Sequence, residues 1–565
     1  MSKALSDLSA NQSFKQSWFR QEKSPQQRSW GFWLILAVVS LVCLLPVLSL
    51  IFLSVSDVDG KLWTHLVRTV LPGAILNTFL LLGGVGVVTA VLGVSTAWLV
   101  TVCRFPGQTA FSVLLLLPLA LPTYVSAFAY LEFLGFGGPL QSVIRDFFGF
   151  KSVKEYWFPD YRTLSGAILV MSLVLYPYVY LATRASFAMQ SKSILDASRT
   201  LGTTPWKMFW KVGLPLARPA VVVGVALAMF ETANDIGAVE FFGVKTLMTT
   251  VYDVWLNRSS LTTATQIACL FLIVVLYLLW LENHARRKQR QFESNSKAAP
   301  YEPFQLRGSK AALAFLVCFF PVLFGFLVPV LVLLDGGFAY ISSEGFETLI
   351  KPIQNTLFLS ISATITTVGI GFLFAYVGYG ISSPIVATVR RLATLGYAIP
   401  GVILAIGLLI PITAFENSID RLMRDWFNVK TGLFLSGTAF TLILAYSLRF
   451  LSISYGVMDS SFKRMSPNFG HAARSLGRSE AQTVWHIYLP LLRPALITGS
   501  IIVFVDCMKE LPATLLLRPF NFDTLATRVY DSASLEVFEA GALPALAIVL
   551  VGLLPVILLS KQSER

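Results

Sequence analysis

Long apolar segments alternate with short polar segments along nearly the whole chain. Taking about 20 consecutive apolar residues as one bilayer crossing, each half of the sequence predicts six spans. These lie near 33–55, 71–102, 109–136, 164–184, 218–238 and 262–282, and then near 311–334, 353–380, 391–415, 432–453, 493–516 and 540–560. The pattern predicts an all-α polytopic membrane protein with about twelve transmembrane helices and both termini on one side.

Polar segments divide this pattern into four parts. Residues 1–32 form a basic tail, 33–283 a first membrane domain, 284–310 a polar linker and 311–561 a second membrane domain. The apolar run that begins near Trp33 is too long for a signal-peptide core, and no A-x-A cleavage site follows it. We therefore expect this run to remain as the first span.

The charge distribution predicts the orientation. Only 13% of the residues are charged and 55% are hydrophobic, whereas an ordinary soluble domain has roughly 25% charged residues. The net charge of +13 would suit a nucleic-acid partner, but roughly 29 of the 44 Lys and Arg lie in loops on the side of the termini, which the positive-inside rule places in the cytoplasm. We therefore expect membrane lipid around the spans, cytoplasmic termini and no nucleic-acid partner.

One polar segment occurs twice. The sequence DASRTLG at 196–202, leading to LPLARPA at 214–220, recurs as HAARSLG at 471–477, leading to LPLLRPA at 489–495. A gap-free internal match of this length indicates a duplicated unit. The duplication reaches the spans, because Asn77-Thr78 matches Asn355-Thr356 and Pro122 matches Pro400. The two halves therefore form a parallel repeat, related by an axis along the membrane normal.

Each repeated loop has the pattern of two short helices joined at a glycine. The predicted helices cover 186–201 and 204–213 in the first loop, and 461–476 and 479–488 in the second. Gly202 and Gly477 can adopt the left-handed conformation that ends a helix, and Pro215 or Pro490 should block continuation of the second helix. A helix-turn-helix could also bind DNA, but spans at both ends argue against it. Amphipathic interfacial helices with no partner are the other alternative.

The Ala before the turn Gly, together with the distal Leu-Pro, resembles the EAA loop of permeases from binding-protein-dependent ABC importers. In that family each loop docks on one ATP-hydrolysing subunit and transmits its motion to the membrane helices. The resemblance implies docking surfaces at Asp196, Ala197, Gly202, Leu214, Pro215, His471, Ala472, Gly477, Leu489 and Pro490. It also implies the type I importer permease fold, two copies of the ATPase subunit and an external binding protein. The second copy departs from the motif, because it has His471 at the first, acidic position.

The chain itself has no nucleotide site of the P-loop type. No G-x-x-x-x-G-K-[S/T] sequence occurs in it, so it lacks the glycine-rich loop and lysine that hold phosphates. We expect no bound cofactor and no covalent chemistry, with ATP used by the partner subunits. The protein is therefore expected to be a transport subunit rather than an enzyme.

Four acids follow the two repeated loops. Glu231 and Asp235 align with Asp506 and Glu510, and a spacing of four predicts that each pair shares one helix face. Thirteen residues beyond Arg218 rise about 20 Å, and acids at that depth in a membrane are functional candidates. Carboxylates suit hard cations. The alternative is structural, with Lys509 pairing with a neighbouring acid and the acids pinning helices.

A second resemblance indicates the cargo. The sequences KELPAT at 509–514, LRPF at 517–520 and DTLATRVY at 523–530 resemble the ferric-iron permeases of this superfamily. We therefore expect a bacterial inner-membrane permease of a ferric-iron importer, supplied by an external ferric-iron-binding protein. Fe³⁺ would pass transiently over Glu231, Asp235, Asp506 and Glu510, with no tightly bound metal.

Other interpretations remain open at this stage. Related permeases carry thiamine, polyamines, sulfate or phosphonates, so the same architecture could serve thiamine, a polyamine or another small solute. An ion-gradient-driven secondary transporter also uses repeats and intramembrane acids. A membrane scaffold or sensor without transport is the third alternative.

Overall fold

The structure is a computed structural model. It describes residues 30–56, 60–189, 204–290, 303–343, 346–379, 388–390, 396, 399–466 and 468–563. Within these ranges the protein is almost entirely helical.

The first half contains twelve α-helices in its described residues. These are α1 (Trp30–Ser56), α2 (Gly60–Thr69), α3 (Leu71–Val102), α4 (Gln108–Leu114), α5 (Thr123–Leu134), α6 (Pro139–Phe148), α7 (Leu164–Met189), α8 (Pro205–Met208), α9 (Leu214–Asn234), α10 (Gly237–Phe241), α11 (Leu247–Leu256) and α12 (Leu261–Arg290). Two 3₁₀ turns, Leu117–Ala120 and Val153–Glu155, and a π turn, Phe209–Gly213, lie between them.

The second half repeats this order. Its described helices are α13 (Ser309–Val322), α14 (Val328–Ser343), α15 (Glu347–Gly378), α16 (Gly401–Phe427), α17 (Ala439–Arg464), α18 (Asn468–Ser475), α19 (Glu480–Thr483), α20 (Leu489–Leu491), α21 (Arg493–Met508), α22 (Pro512–Leu517), α23 (Leu525–Ser534) and α24 (Phe538–Ser563). Its π turns are Leu323–Leu327 and Val484–Tyr488.

The predicted all-α polytopic fold is confirmed. Ten helices of the described chain are long and apolar enough to cross a membrane, and two bent pairs raise the number to twelve. One pair bends by 91° between Gln108–Ala120 and Thr123–Phe148, and the other bends by 73° between Glu480–Leu491 and Arg493–Met508. Pro122 stands within the first bend and Pro494 just after the second, and proline lacks the N–H that would continue a helix. The aligned Pro219 lies inside the continuous helix Leu214–Asn234 of the first half, so the second bend distinguishes the two halves.

Each half uses its first span to hold the other half. The α1 helix packs on α16, where the Ser49 hydroxyl donates to the Gly407 carbonyl oxygen at 2.5 Å. Gly407 must be small there, because a Cβ would overlap the Pro46 carbonyl. On the opposite side the Tyr130 hydroxyl donates to the Phe324 carbonyl oxygen at 2.5 Å. The halves are therefore interlocked rather than merely adjacent.

The linker is tied to the first half. The β1 strand (Cys103–Arg104), directly after α3, pairs in parallel with β2 (Phe304–Gln305). The Leu306 N–H continues the pairing by donating to the Arg104 carbonyl oxygen at 2.9 Å. The end of the linker thus lies beside the loop between the second and third spans. The boundaries assigned to the four parts of the chain remain a prediction.

Candidate substrate pathway between the halves

The fifth span of each half ends between its two acids. The last turns of α9 and α21 contain Glu231 and Asp506, whereas Asp235 and Glu510 lie just beyond the helix ends. Asp235 itself has extended backbone, with φ −82° and ψ 122°. The prediction that each pair shares one helix face is therefore wrong. Hydropathy missed the break because the residues that follow it are also apolar.

The second acid of each pair caps the short helix that follows. Asp235 Oδ1 accepts a hydrogen bond from the Ala238 N–H at 2.8 Å. Glu510 Oε1 accepts the equivalent bond from the Ala513 N–H at 3.1 Å. A side-chain oxygen that accepts from a first-turn N–H satisfies a donor that has no helical partner. These two acids therefore stabilise the backbone at the break and also place a carboxylate there.

The duplicated Asn-Thr pair anchors the chain after each break. The Asn77 side-chain amide donates to the Lys245 carbonyl oxygen at 3.0 Å, and the Thr78 hydroxyl accepts from the Leu247 N–H at 3.0 Å. The aligned pair in the second half makes the same two bonds at 2.9 and 2.8 Å. This repeat, noticed in the sequence without an assigned role, fixes the start of α11 and of α23.

All four acids line one open cavity between the halves. The charged and hydroxyl-bearing residues of its lining are Glu231, Asp235, Asp506, Glu510, Arg449, Lys509, Thr123, Tyr124 and Tyr178. With every charged group ionised, four negative and two positive charges give the lining a formal charge of −2. The structure thus brings together the acids of both halves that the sequence predicted as pathway candidates.

Two of these acids form ion pairs within the second half. Arg449 Nη1 lies 3.2 Å from Glu510 Oε1, and both side chains are less than a tenth exposed. Lys509 Nζ lies 2.8 Å from Asp506 Oδ1, with a third of the lysine side chain exposed. The lysine pairing considered from the sequence is therefore present, and the acids have structural partners in addition to any role in transport.

The aligned acids of the first half are hydrogen-bonded to neutral side chains, and Glu231 is also attracted by the Lys509 ammonium of the second half. Asp235 accepts a hydrogen bond from the Thr123 hydroxyl, and Glu231 is hydrogen-bonded to Tyr178. The two halves thus present the same carboxylates with different counter-charges. Each half places two acids in the cavity, whereas both cations, Arg449 and Lys509, come from the second half.

Arg449 is a cavity residue that sequence reasoning missed. It stands where the first half has Val174, so the internal repeat gives no signal for it. A lone arginine within the apolar span α17 is a signal, because ionisable groups inside a membrane are usually paired and functional. Gly401 provides its space, since a Cβ there would overlap Arg449 Nη1 and lie 2.7 Å from Glu510 Oε1.

Gly401→Ala is expected to destabilise the protein by about 1–3 kcal/mol, the usual cost of overpacking a filled site. The added methyl would displace the Arg449 guanidinium from Glu510. Thermal unfolding of the purified protein in detergent measures the change. Gly369→Ala is the matched control, because it is also a membrane-helix glycine with nothing near its Cβ position. Equal unfolding midpoints for the two variants would contradict the packing described above.

The halves also meet beyond the ends of α9 and α21. The Tyr530 hydroxyl donates to Glu240 Oε2 at 2.8 Å, and the Tyr530 ring stacks on Phe241 with centroids 5.8 Å apart. Burial raises the pKa of the Glu240 carboxyl, and the hydrogen bond from Tyr530 opposes that shift. This contact joins the short helix after one break to the amphipathic helix after the other.

Among the described residues, no group of three or more His, Cys, Asp or Glu side chains is arranged to hold a metal ion. The four acids share a cavity without forming a cage.

Comparison with known proteins decides the family. The family of the binding-protein-dependent transport system inner membrane component matches residues 89–291 and 367–565, once in each half. The chain belongs to this family. It is accordingly a multi-pass permease of the inner membrane rather than an enzyme, with two copies of the permease domain in one chain.

Relatives that match most of this permease include proteins of ferric-iron systems. It is 26% identical over 542 residues to the Fe(3+)-transport system permease protein FbpB 2 of Haemophilus influenzae, covering 94% of this chain and 99% of the relative. It is 23% identical to the ferric transport system permease protein FbpB of Actinobacillus pleuropneumoniae, covering 86% and 70%. The molybdenum transport system permease protein ModB of Escherichia coli is 30% identical over 26% of this chain and 60% of its own. The resemblance to ferric-iron permeases is confirmed, and the family also includes permeases for other solutes.

The first of the two repeated loops is described only in its second part. Asp196, Ala197 and Gly202 lie outside the described residues. Leu214 and Pro215 begin α9, which continues the π turn as one span, Trp206–Asn234. The expectation that Pro215 stops the preceding helix is therefore wrong, because a proline in the first turn of a helix needs no N–H partner and the wider π turn accommodates it.

The second repeated loop contains α18, where His471 and Ala472 lie, and α20, where Leu489 and Pro490 lie. The predicted single helix over 461–476 is wrong, because α17 ends at Arg464 and Met465 is extended. Gly477 has φ +75° with nothing within 4 Å of its Cβ position. The structure thus gives Gly477 the left-handed conformation expected of the turn.

Proposed function

We propose that this chain is the permease of an ATP-driven importer that moves ferric iron into the cytoplasm. The observation that carries the proposal is the placement of four carboxylates from both halves in one cavity where the fifth spans break. Carboxylate oxygens are hard ligands, which prefer hard cations. The end-to-end similarity to FbpB 2, over 94% of this chain, supports ferric iron as the cation.

The charge of the cavity favours a cation over an oxyanion. Like charges about 4 Å apart repel by roughly 4 kcal/mol at an effective dielectric constant of about 20. A cavity of formal charge −2 would therefore repel a molybdate- or sulfate-type anion. The match to ModB covers only 26% of this chain, and it supports the shared permease architecture rather than a shared solute.

Energy would come from two ATPase subunits docked on the two repeated loops, called the coupling loops from here on. Both loops present large apolar side chains to solvent, with Trp206 68% and Trp485 71% exposed. Exposed apolar patches of this kind mark protein interaction sites. The Lys and Arg distribution supports a cytoplasmic position for both loops and both termini. An external ferric-iron-binding protein would deliver the cargo from the other side.

Cargo would move by alternating access around the cavity. Closure of the ATPase pair would shift the loops, and α9 and α21 would transmit that shift to the acids at their far ends. Fe³⁺ would contact the acids of both halves transiently. The chain would supply the path and the coupling, and no covalent step.

Radioactive iron uptake tests the proposal in cells with and without this chain, with thiamine, putrescine and molybdate measured in parallel. We expect loss of iron uptake alone when the chain is deleted. If uptake of another solute is lost while iron uptake is unchanged, that solute replaces ferric iron as the proposed cargo, and the permease assignment stands. Uptake that persists without an associated ATPase would favour a secondary transporter, and ATPase binding without any flux would favour a sensor.

A further inference from the structure

Lys509 lines the cavity together with acids from both halves. It caps the end of α21, and its ammonium contacts Asp506 at 2.8 Å. It is also attracted by Glu231 of the first half and by its neighbour Glu510. The lysine charge therefore lies among the carboxylates that a cargo cation would contact.

Lys509 also differs from the other cation in how firmly it is held. Arg449 is buried against Glu510, with only 8% of its side chain exposed, and Gly401 leaves space shaped for it. The Lys509 side chain is one-third exposed and has flexible methylene groups between backbone and charge. Within the cavity, Arg449 is therefore the more confined of the two cations, and Lys509 is the more exposed.

The first half has a neutral residue at the aligned position. Asn234 stands where the second half has Lys509. Asn234 also lines the cavity, and its side-chain oxygen is buried without a hydrogen-bond partner. The lysine is therefore not required by the backbone geometry of the break, since the other half makes the same break with an amide.

We propose that Lys509 is a tethered counter-cation, which neutralises Asp506 and Glu231 in the empty cavity and is displaced by the cargo cation. The inference rests on the proposed function. When the cation enters, the ammonium swings away from Asp506. When the cation leaves, the ammonium returns and competes for the same carboxylates. The lysine thus prevents the acids from retaining a trivalent cation.

Terbium(III) binding tests this role independently of transport. Tb³⁺ is a hard trivalent cation, and Tyr124 and Tyr178 in the cavity lining can sensitise its luminescence. In the full transporter purified in detergent, Lys509→Asn should tighten Tb³⁺ binding at least about tenfold, or about 1.4 kcal/mol. Lys509→Arg keeps the charge and should bind Tb³⁺ as the natural protein does.

Two control variants test whether the Tb³⁺ signal comes from the cavity. Lys463 also pairs with an aspartate, with its Nζ 2.5 Å from Asp459 Oδ2, but it lies outside the cavity. Lys463→Asn should therefore leave Tb³⁺ affinity unchanged. Glu231→Gln with Asp506→Asn should abolish the binding. Tb³⁺ affinity that is unchanged or weaker in Lys509→Asn overturns the proposal, as does the absence of any binding that depends on these acids.

Transport kinetics separate this role from a structural one. Lys509→Asn should lower both KM and kcat for iron, because the cation would be bound more tightly and released more slowly. A variant with only damaged structure would lose kcat without tighter binding, which would overturn the proposal. If Lys509→Asn binds Tb³⁺ more tightly but the natural protein transports no iron, the role of the lysine is supported. Ferric iron is then rejected as the cargo.

Discussion

Glu231→Gln combined with Asp506→Asn is expected to reduce iron uptake by about 100-fold or more, if each lost charged contact is worth roughly 1.5–3 kcal/mol. These two aligned carboxylates lie in the last turns of α9 and α21 and line the cavity from opposite halves. Their amides keep the side-chain size and remove the charge that would attract Fe³⁺. Initial rates of radioactive iron uptake measure the effect, with membrane insertion followed by immunoblot.

The choice of these two acids follows from the structure. Asp235 and Glu510 also cap α10 and α22, so changes there would mix folding with transport. Asp146→Asn with Asp425→Asn removes the same formal charge from exposed positions outside the cavity, and uptake should remain near normal. Normal uptake by the cavity variant, at normal membrane levels, would remove these carboxylates from the cation path.

Gly202→Asp with Gly477→Asp is expected to abolish uptake while leaving the protein in the membrane. Gly477 has φ +75°, a conformation that costs a residue with a side chain about 1–2 kcal/mol. The added side chain would also project from the proposed docking surface. Uptake and co-purification of the ATPase should be lost together.

A matched control separates docking from backbone strain. Gly149 and Gly437 also have positive φ, 74° and 70°, with nothing within 4 Å of their Cβ positions. Aspartate at both sites imposes the strain expected at Gly477, away from the coupling loops, and ATPase binding should survive it. Normal uptake by the Gly202 and Gly477 double variant would reject the coupling role of the loops.

The spans and the repeat could be predicted from the sequence because each depends on a long, additive signal. Twenty apolar residues must cross a bilayer, and two matching loops require a duplication. The helix breaks could not be predicted in this way. Ile236 and Leu511 continue the apolar run past each break. The hydropathy pattern therefore gives no sign that the backbone changes direction there.

Of the charged residues in the cavity, the sequence indicated the four acids and the pairing of Lys509 with a neighbouring acid, but not Arg449. The alignment of the acids across the repeat drew attention to them, whereas Arg449 has no aligned counterpart and its pairing with Glu510 depends on the three-dimensional packing of α17 against α21. Gly401 acts by lacking a side chain beside that pair, which no sequence pattern expresses. Aligning the two halves of the sequence therefore identifies residues that both halves share. The structure is needed to identify residues, such as Arg449, that only one half has.

The most direct test of ferric-iron import is transport by the purified complex in proteoliposomes. ATP is supplied on the side of the coupling loops, and iron-loaded binding protein on the other side. We expect radioactive iron to accumulate only with ATP, and the Glu231→Gln and Asp506→Asn variant to abolish the accumulation. Iron that stays outside while molybdate, sulfate, thiamine or putrescine accumulates in an ATP-dependent manner would contradict ferric import by this permease.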